Sequence, residues 1–153
     1  MNGFVATAPT GSSSITSGDW YPSIDLAAAR AVLRIDGAVS DPRLTECIAL
    51  SMSAVEDMLD AWQQQQAALG RTTLADVPSK QIAGESRLVL LYRRAVLAYA
   101  QAELIEHYRN YDATGAMDRR ADALDPTADD CRRNVRYAVR DILGRPRADV
   151  ELI

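Results

Sequence analysis

The sequence holds one histidine, one phenylalanine, two cysteines and, among its 17 basic residues, a single lysine, Lys80. Each scarcity excludes a chemistry. His107 stands in Glu103-Leu-Ile-Glu-His-Tyr108, where Glu103 and His107 share a helix face four residues apart. A di-iron bundle needs two Glu-x-x-His pairs and a zinc protease needs two histidines on one helix, so the pair reads as a helix-surface ion pair rather than a metal site. Cys47 and Cys131 lie far apart in predicted helices, without metal-type spacing, and read as two buried or neutral thiols of a reducing compartment. An intramolecular disulfide is the alternative. No GxGxxG, GxxxxGK or GxSxG pattern occurs, and no second histidine is present to activate a cysteine. The acid pairs Asp57/Asp60 and Asp129/Asp130 read as solvated surface and helix-start acids. No catalytic, metal-binding or cofactor-binding residue is expected, and no cofactor.

Long apolar runs are missing as well. The longest are the five residues Leu88 to Tyr92 and the six residues Ala95 to Ala100, against about 20 for a bilayer-spanning helix. The N-terminal stretch has neither a basic start nor an apolar segment of about 7 to 15 residues, so it does not read as a secretory signal.

What is present fits one folded domain. A chain of 153 residues is long enough for one core that buries about 68 to 70% of the unfolded surface. Its charge is uneven: residues 1–70 carry 8 acids against 3 bases, and residues 71–153 carry 13 against 14. The bases are almost all arginine, whose rigid donor fork suits carboxylates and interfaces. An overall charge of −4 argues against nucleic acid as the main ligand, because tight binders are usually net basic.

Residues 1–18 are small, polar and unpatterned, a composition that does not offset its own ordering entropy. They are expected to be a flexible leader, with order beginning at Asp19 and the apolar anchors Trp20, Tyr21 and Ile24. A short helix is predicted from Ser23 or Asp25 to about Ile35, with Leu26, Ala29 and Leu33 inward and Gly37 as its stop. Asp41 before Pro42 predicts an N-cap. The helix that follows, to about residue 69, would bury Leu44, Ile48, Met52, Val55, Met58, Leu59 and Trp62. Residues 71–83, with Pro78 and no helical period, read as a loop long enough to be functional or mobile. Gly84 to Tyr111 is the strongest helical pattern and should be the central helix, antiparallel to the one before it. A polar link with Gly115 and Pro126 leads to a last helix capped by Thr127, with Val135, Val139, Ile142 and Leu143 buried and Gly144 and Pro146 ending it. Residues 145–153 alternate polar and apolar and read as an extended arm. The expected fold is therefore all-α: a four-helix bundle-like domain over residues 19–144, between the leader and the arm.

Arg132, Arg136 and Arg140 recur every fourth residue of the last helix, with Arg133 adjacent. This basic stripe has three readings: a solvated face paired with Asp129, Asp130 and Asp141; a protein interface; or a phosphate-contacting face of a helical DNA-binding or regulatory protein.

Function enters through a resemblance. Asp19-Trp-Tyr-Pro-Ser-Ile-Asp-Leu26, Arg34-Ile-Asp-Gly37, Gly84-Glu-Ser-Arg-Leu-Val-Leu-Leu-Tyr-Arg-Arg-Ala-Val96, Arg119-Arg-Ala-Asp-Ala-Leu-Asp-Pro126, Asp141-Ile-Leu-Gly-Arg-Pro-Arg147 and Val150-Glu-Leu-Ile153 resemble, in this order, the head completion (GPL) family of contractile-tailed phages. The resemblance implies a non-enzymatic structural connector or adaptor. Such a protein binds the portal after DNA packaging, stabilises the filled head and offers the attachment site for a tail-completion or tail-terminator protein. It further implies a homo-oligomer, a dodecameric ring on the portal through which double-stranded DNA passes without sequence recognition, with no membrane partner. The location implied is the head–tail junction of the virion, reached from the host cytoplasm during assembly. The arm residues Arg145, Pro146, Arg147, Val150, Leu152 and Ile153 are expected to meet the portal, since an extended apolar tail can add a strand to a neighbour's sheet edge. The competing expectation is an arm folded back on its own bundle. The acidic N-terminal half is expected to face the DNA channel, where like charge lets DNA slide.

Overall fold

A computed structural model describes residues 13–35, 39–112 and 126–146, with side chains beyond residue 107 resuming at residue 126. The order of elements is β1 (Ser14–Ile15), β2 (Ile24–Asp25), α1 (Leu26–Val32), α2 (Asp41–Ala68), a 3-10 turn (Leu74–Asp76), β3 (Gln81–Ile82), β4 (Glu85–Ser86), α3 (Arg87–Asp112) and α4 (Ala128–Ile142). The described residues are mainly α-helical, as expected, with three long helices and a short first one.

The central position of α3 follows from its side chains. Tyr92, Ala95, Val96 and Ala100 are fully buried, and the alanines among them let neighbouring backbones approach closely. On one side α3 meets Val135, Ala138, Val139 and Ile142 of α4, and on another Leu44, Ile48, Met52, Val55 and Leu59 of α2, all in one apolar cluster. Leu26 and Ala29 of α1 and Leu33 just after it join the same cluster. Met58, expected inside, is 47% exposed, because it stands at the edge of the α2 stripe rather than at its centre.

Side-chain caps mark where α1 and α4 begin. The Asp25 carboxylate accepts from the Ala28 amide at 2.7 Å, and Thr127 and Asp130 exchange bonds in a capping box at the start of α4. The cap expected at Asp41 is different. Ser40 is the N-cap and makes no side-chain bond, while Asp41 turns to Arg30 of α1 at 2.5 Å. Arg30 also donates to the Val39 carbonyl at 2.9 Å, so Asp41 joins two helices instead of capping one. Helix α1 stops earlier than expected, at Val32. Arg34 takes a left-handed backbone with φ of 51°, and the expected stop, Gly37, lies outside the described residues.

Two corrections concern segments read as irregular. The described structure extends before Asp19: β1 pairs antiparallel with β2, Ser14 opposite Asp25 and Ile15 opposite Ile24, and the Leu26 amide donates to the Ser13 carbonyl at 3.0 Å. The segment 71–83 is anchored. Leu74 is fully buried and Val77 nearly so, and the Leu74 amide donates to the Trp20 carbonyl at 2.9 Å. From that base a hairpin rises, β3 against β4, turning through Ala83 at φ 53° and Gly84 at φ 80°. Positive φ at both central residues is the two-residue turn that suits the twist of a tight hairpin. Both short ladders escape pattern reading because two residues hold no alternation to detect.

Candidate interaction surfaces

The basic stripe on α4 is divided by its environment. Arg132 makes an ion pair with Glu106 of α3 and approaches Asp129 at 3.8 Å, and Arg133 pairs with Asp130 at 2.5 Å. Asp141, at the other end of α4, is 3.6 Å from Arg87. Arg136 and Arg140 are exposed, and among the described residues neither carries an ion pair. Two of the four arginines are thus committed to carboxylates. The face left for a partner is narrower than the sequence suggested, which weakens the DNA reading.

Arg136 borders a cleft of about 250 Å3 over the middle of α3, with Met58, Tyr99, Ala102, Glu103 and Val135. Its floor is apolar and its rim charged. Cys47 sits nearby, half-buried, its thiol donating to the Ala100 carbonyl at 3.6 Å; burial and then Glu103 push that thiol above its ordinary range. Cys131 is buried, and burial raises it likewise. Both are free thiols and poor nucleophiles, because the reactive form is the thiolate. Among the described residues no group of three or more His, Cys, Asp or Glu is placed to hold a metal ion, and no helix is long and apolar enough to cross a membrane.

The arm begins where α4 ends. Gly144, at φ 65°, reverses the chain, and the Arg145 amide returns to the Arg140 carbonyl at 3.0 Å. Arg145 and Pro146 are exposed at that end; Arg147, Val150, Leu152 and Ile153 lie outside the described residues, as do residues 1–12. The β3–β4 hairpin precedes α3 at the same end of the molecule, since the Arg87–Asp141 contact brings the start of α3 to the end of α4. Ile82 stands 46% exposed on that hairpin.

One cluster was not anticipated. Glu56 of α2 is half-buried and accepts from the Tyr92 phenol and the Ser17 hydroxyl, each at 2.5 Å. Tyr92 stacks on Tyr21 with ring centroids 4.7 Å apart. The available signal was the spacing of Glu56 from the buried positions Val55 and Met52, which puts a carboxylate at the margin of the apolar stripe.

The described residues form a mainly helical domain with ion-paired helix surfaces. The comparisons give the family. The profile described as phage head completion protein (GPL) matches residues 15–153, so the chain belongs to that family and its role is in completion of the phage head. A head completion/stabilization protein of Escherichia phage P2 is 41% identical over 134 residues, covering 88% of this chain and 79% of that protein. No solved structure matches.

Proposed function

We propose that the protein binds the portal vertex after DNA packaging, stabilises the filled head and presents the site to which a tail-completion or tail-terminator protein attaches, without catalysis. It acts as a ring of copies, twelve on the portal, at the head–tail junction of the virion. It joins there from the host cytoplasm, and packaged double-stranded DNA passes through without being read. The observation that carries this reading is the reach of the family match. It runs from Ile15 to Ile153 and so takes in every described helix and the arm rather than one motif.

The arm from Arg145 to Ile153 is the proposed portal contact. Arg145 and Pro146 project from the end of α4, and the sequence beyond them offers Val150, Leu152 and Ile153 with Arg147 between. Apolar side chains at that place gain most when a partner surface covers them. Deleting residues 148–153 should change the stability of the free protein by less than about 1 kcal/mol, the scale of a surface change, and abolish co-purification with portal. Heads completed with the shortened protein should lose DNA to added nuclease. A shortened protein that still binds portal as well as the full chain contradicts the arm assignment, and a large loss of stability favours an arm folded on its own bundle.

A further inference from the structure

Helices α2 and α4 both run antiparallel to α3, so they are parallel to each other, and contacts across α3 fix their relative height. Glu56 is level with Tyr92 and Cys47 with Ala100; Arg94 is level with Asn134 and Arg87 with Asp141. It follows that Asp57 and Asp60 on α2 stand at the height of Arg136 and Arg140 on α4. All four are exposed. Among the described residues none of the four carries an ion pair, although Arg132, Arg133, Arg87 and Arg93 nearby all do.

We propose that α2 of one copy packs its outer face against the outer face of α4 on the next, with Asp57 and Asp60 meeting Arg136 and Arg140 around the ring. The inference rests on the ring reading given above and adds the surface that makes the ring. Rotation about a closed ring's axis leaves every residue at its own height along that axis, so a head-to-tail contact requires two different patches of one chain to match at equal height. With α2 and α4 aligned along the axis, the acid and arginine pairs meet that requirement. Within one chain they do not satisfy each other: α2 and α4 touch, and Met58 and Arg136 border one cleft, yet among the described residues neither Asp57 nor Asp60 makes an ion pair with either arginine.

Leu50 supports α2 as a contact face. It is 65% exposed and lies two turns before Asp57 on the same side of α2, where it supplies an apolar centre beside the charged rim, the usual anatomy of an interface. The chain's charge division fits as well: the acidic half, residues 1–70, supplies one side of the contact and the arginine-rich half the other. DNA would engage only the arginines and leave the acids of α2 without a role, whereas a second copy uses both.

The test uses full-length protein bound to filled heads. In an R136K/R140K variant the charge is kept and amines are introduced, so a carbodiimide couples an adjoining carboxylate to them at zero length. The expected result is a ladder of linked copies on a denaturing gel, with position 136 or 140 joined to position 57 or 60 in the peptides. R136E/R140E and D57R/D60R should each remove the ring from heads seen by electron microscopy, and the four changes combined in one chain should restore it. Rings on heads without that linkage, or an R136E/R140E protein that forms rings as the unaltered chain does, overturn the proposed surface and leave the portal ring standing. Heads carrying the unaltered protein with no ring overturn both.

Discussion

The Tyr92 phenol donates to the Glu56 carboxylate at 2.5 Å, a bond that crosses from the central helix to α2 at the point where the N-terminal strand also reaches α2 through Ser17. Tyr92 is fully buried, and bonds to a charged acceptor are stronger than neutral ones. Tyr92→Phe removes the donor and leaves Glu56 with Ser17, so it should lower the free energy of unfolding by about 1 to 2 kcal/mol. Urea titration measures it. A change within about 0.5 kcal/mol would mean that the bond is fully replaced by water.

The same pair predicts an alkaline limit. Burial, then Glu56, hold the Tyr92 hydroxyl above its ordinary value of 10.0. Burial, then Glu56 and Asp60, do the same for Tyr21. Because the folded values are raised, the folded state keeps protons that the unfolded chain loses above about pH 10. Their contribution is whole below that pH and declines as pH rises past it. Thermal melts between pH 9 and 11.5 should show a falling midpoint, and Y21F/Y92F should flatten the slope while starting from lower stability.

Truncation separates residues 1–12 from the segment that carries β1. Deleting residues 1–12 should leave the melting transition unchanged. Deleting residues 1–18 removes the Ser14–Ile15 ladder, the Ser13 carbonyl that receives the Leu26 amide and the Ser17 bond to Glu56. A loss of about 1 to 3 kcal/mol is expected from those bonds. Equal stability of the two truncations would return the start of the domain to Asp19.

At the start of α4, Thr127→Ala should cost about 1 kcal/mol, the usual worth of an N-cap hydroxyl. Bonds from the Thr127 side chain and backbone, with Arg133, hold the Asp130 carboxyl below its ordinary value of 3.8. A depressed value means that the contribution of Asp130 is present above that pH and is lost as the solution is acidified through the folded value. Acid titration of D130N should accordingly show a shallower loss of stability than the unaltered chain. An identical acid limb would mean that the capping box does not form in solution.

Helices announce themselves through periods that span many residues, and those were legible. The buried faces of α2 and α4, the Thr127 cap and the central place of α3 all follow from apolar spacing and one Ser/Thr signal. What escaped was decided by pairing at a distance. Ser14 and Ile15 are ordered by Ile24 and Asp25, Leu74 by the Trp20 carbonyl, and Asp41 by Arg30; no local pattern encodes such partners. The arginine stripe was visible as a stripe, but its division into committed and open members depends on Glu106, 26 residues from Arg132 along the chain. Asp57 and Asp60, read from sequence as solvated acids, take the role proposed above only once contacts to α3 set their height against α4. The family was legible because the strings that resemble it are spread from Asp19 to Ile153 rather than confined to one site.

The most direct test of the account is electron cryomicroscopy of DNA-filled heads assembled with and without this protein. The account predicts a ring of added density at the portal vertex, on the side away from the capsid interior, into which the three long helices fit and which is absent from heads made without the chain. Density for the protein elsewhere on the capsid, or an unchanged portal vertex in heads that nonetheless retain their DNA, would contradict it.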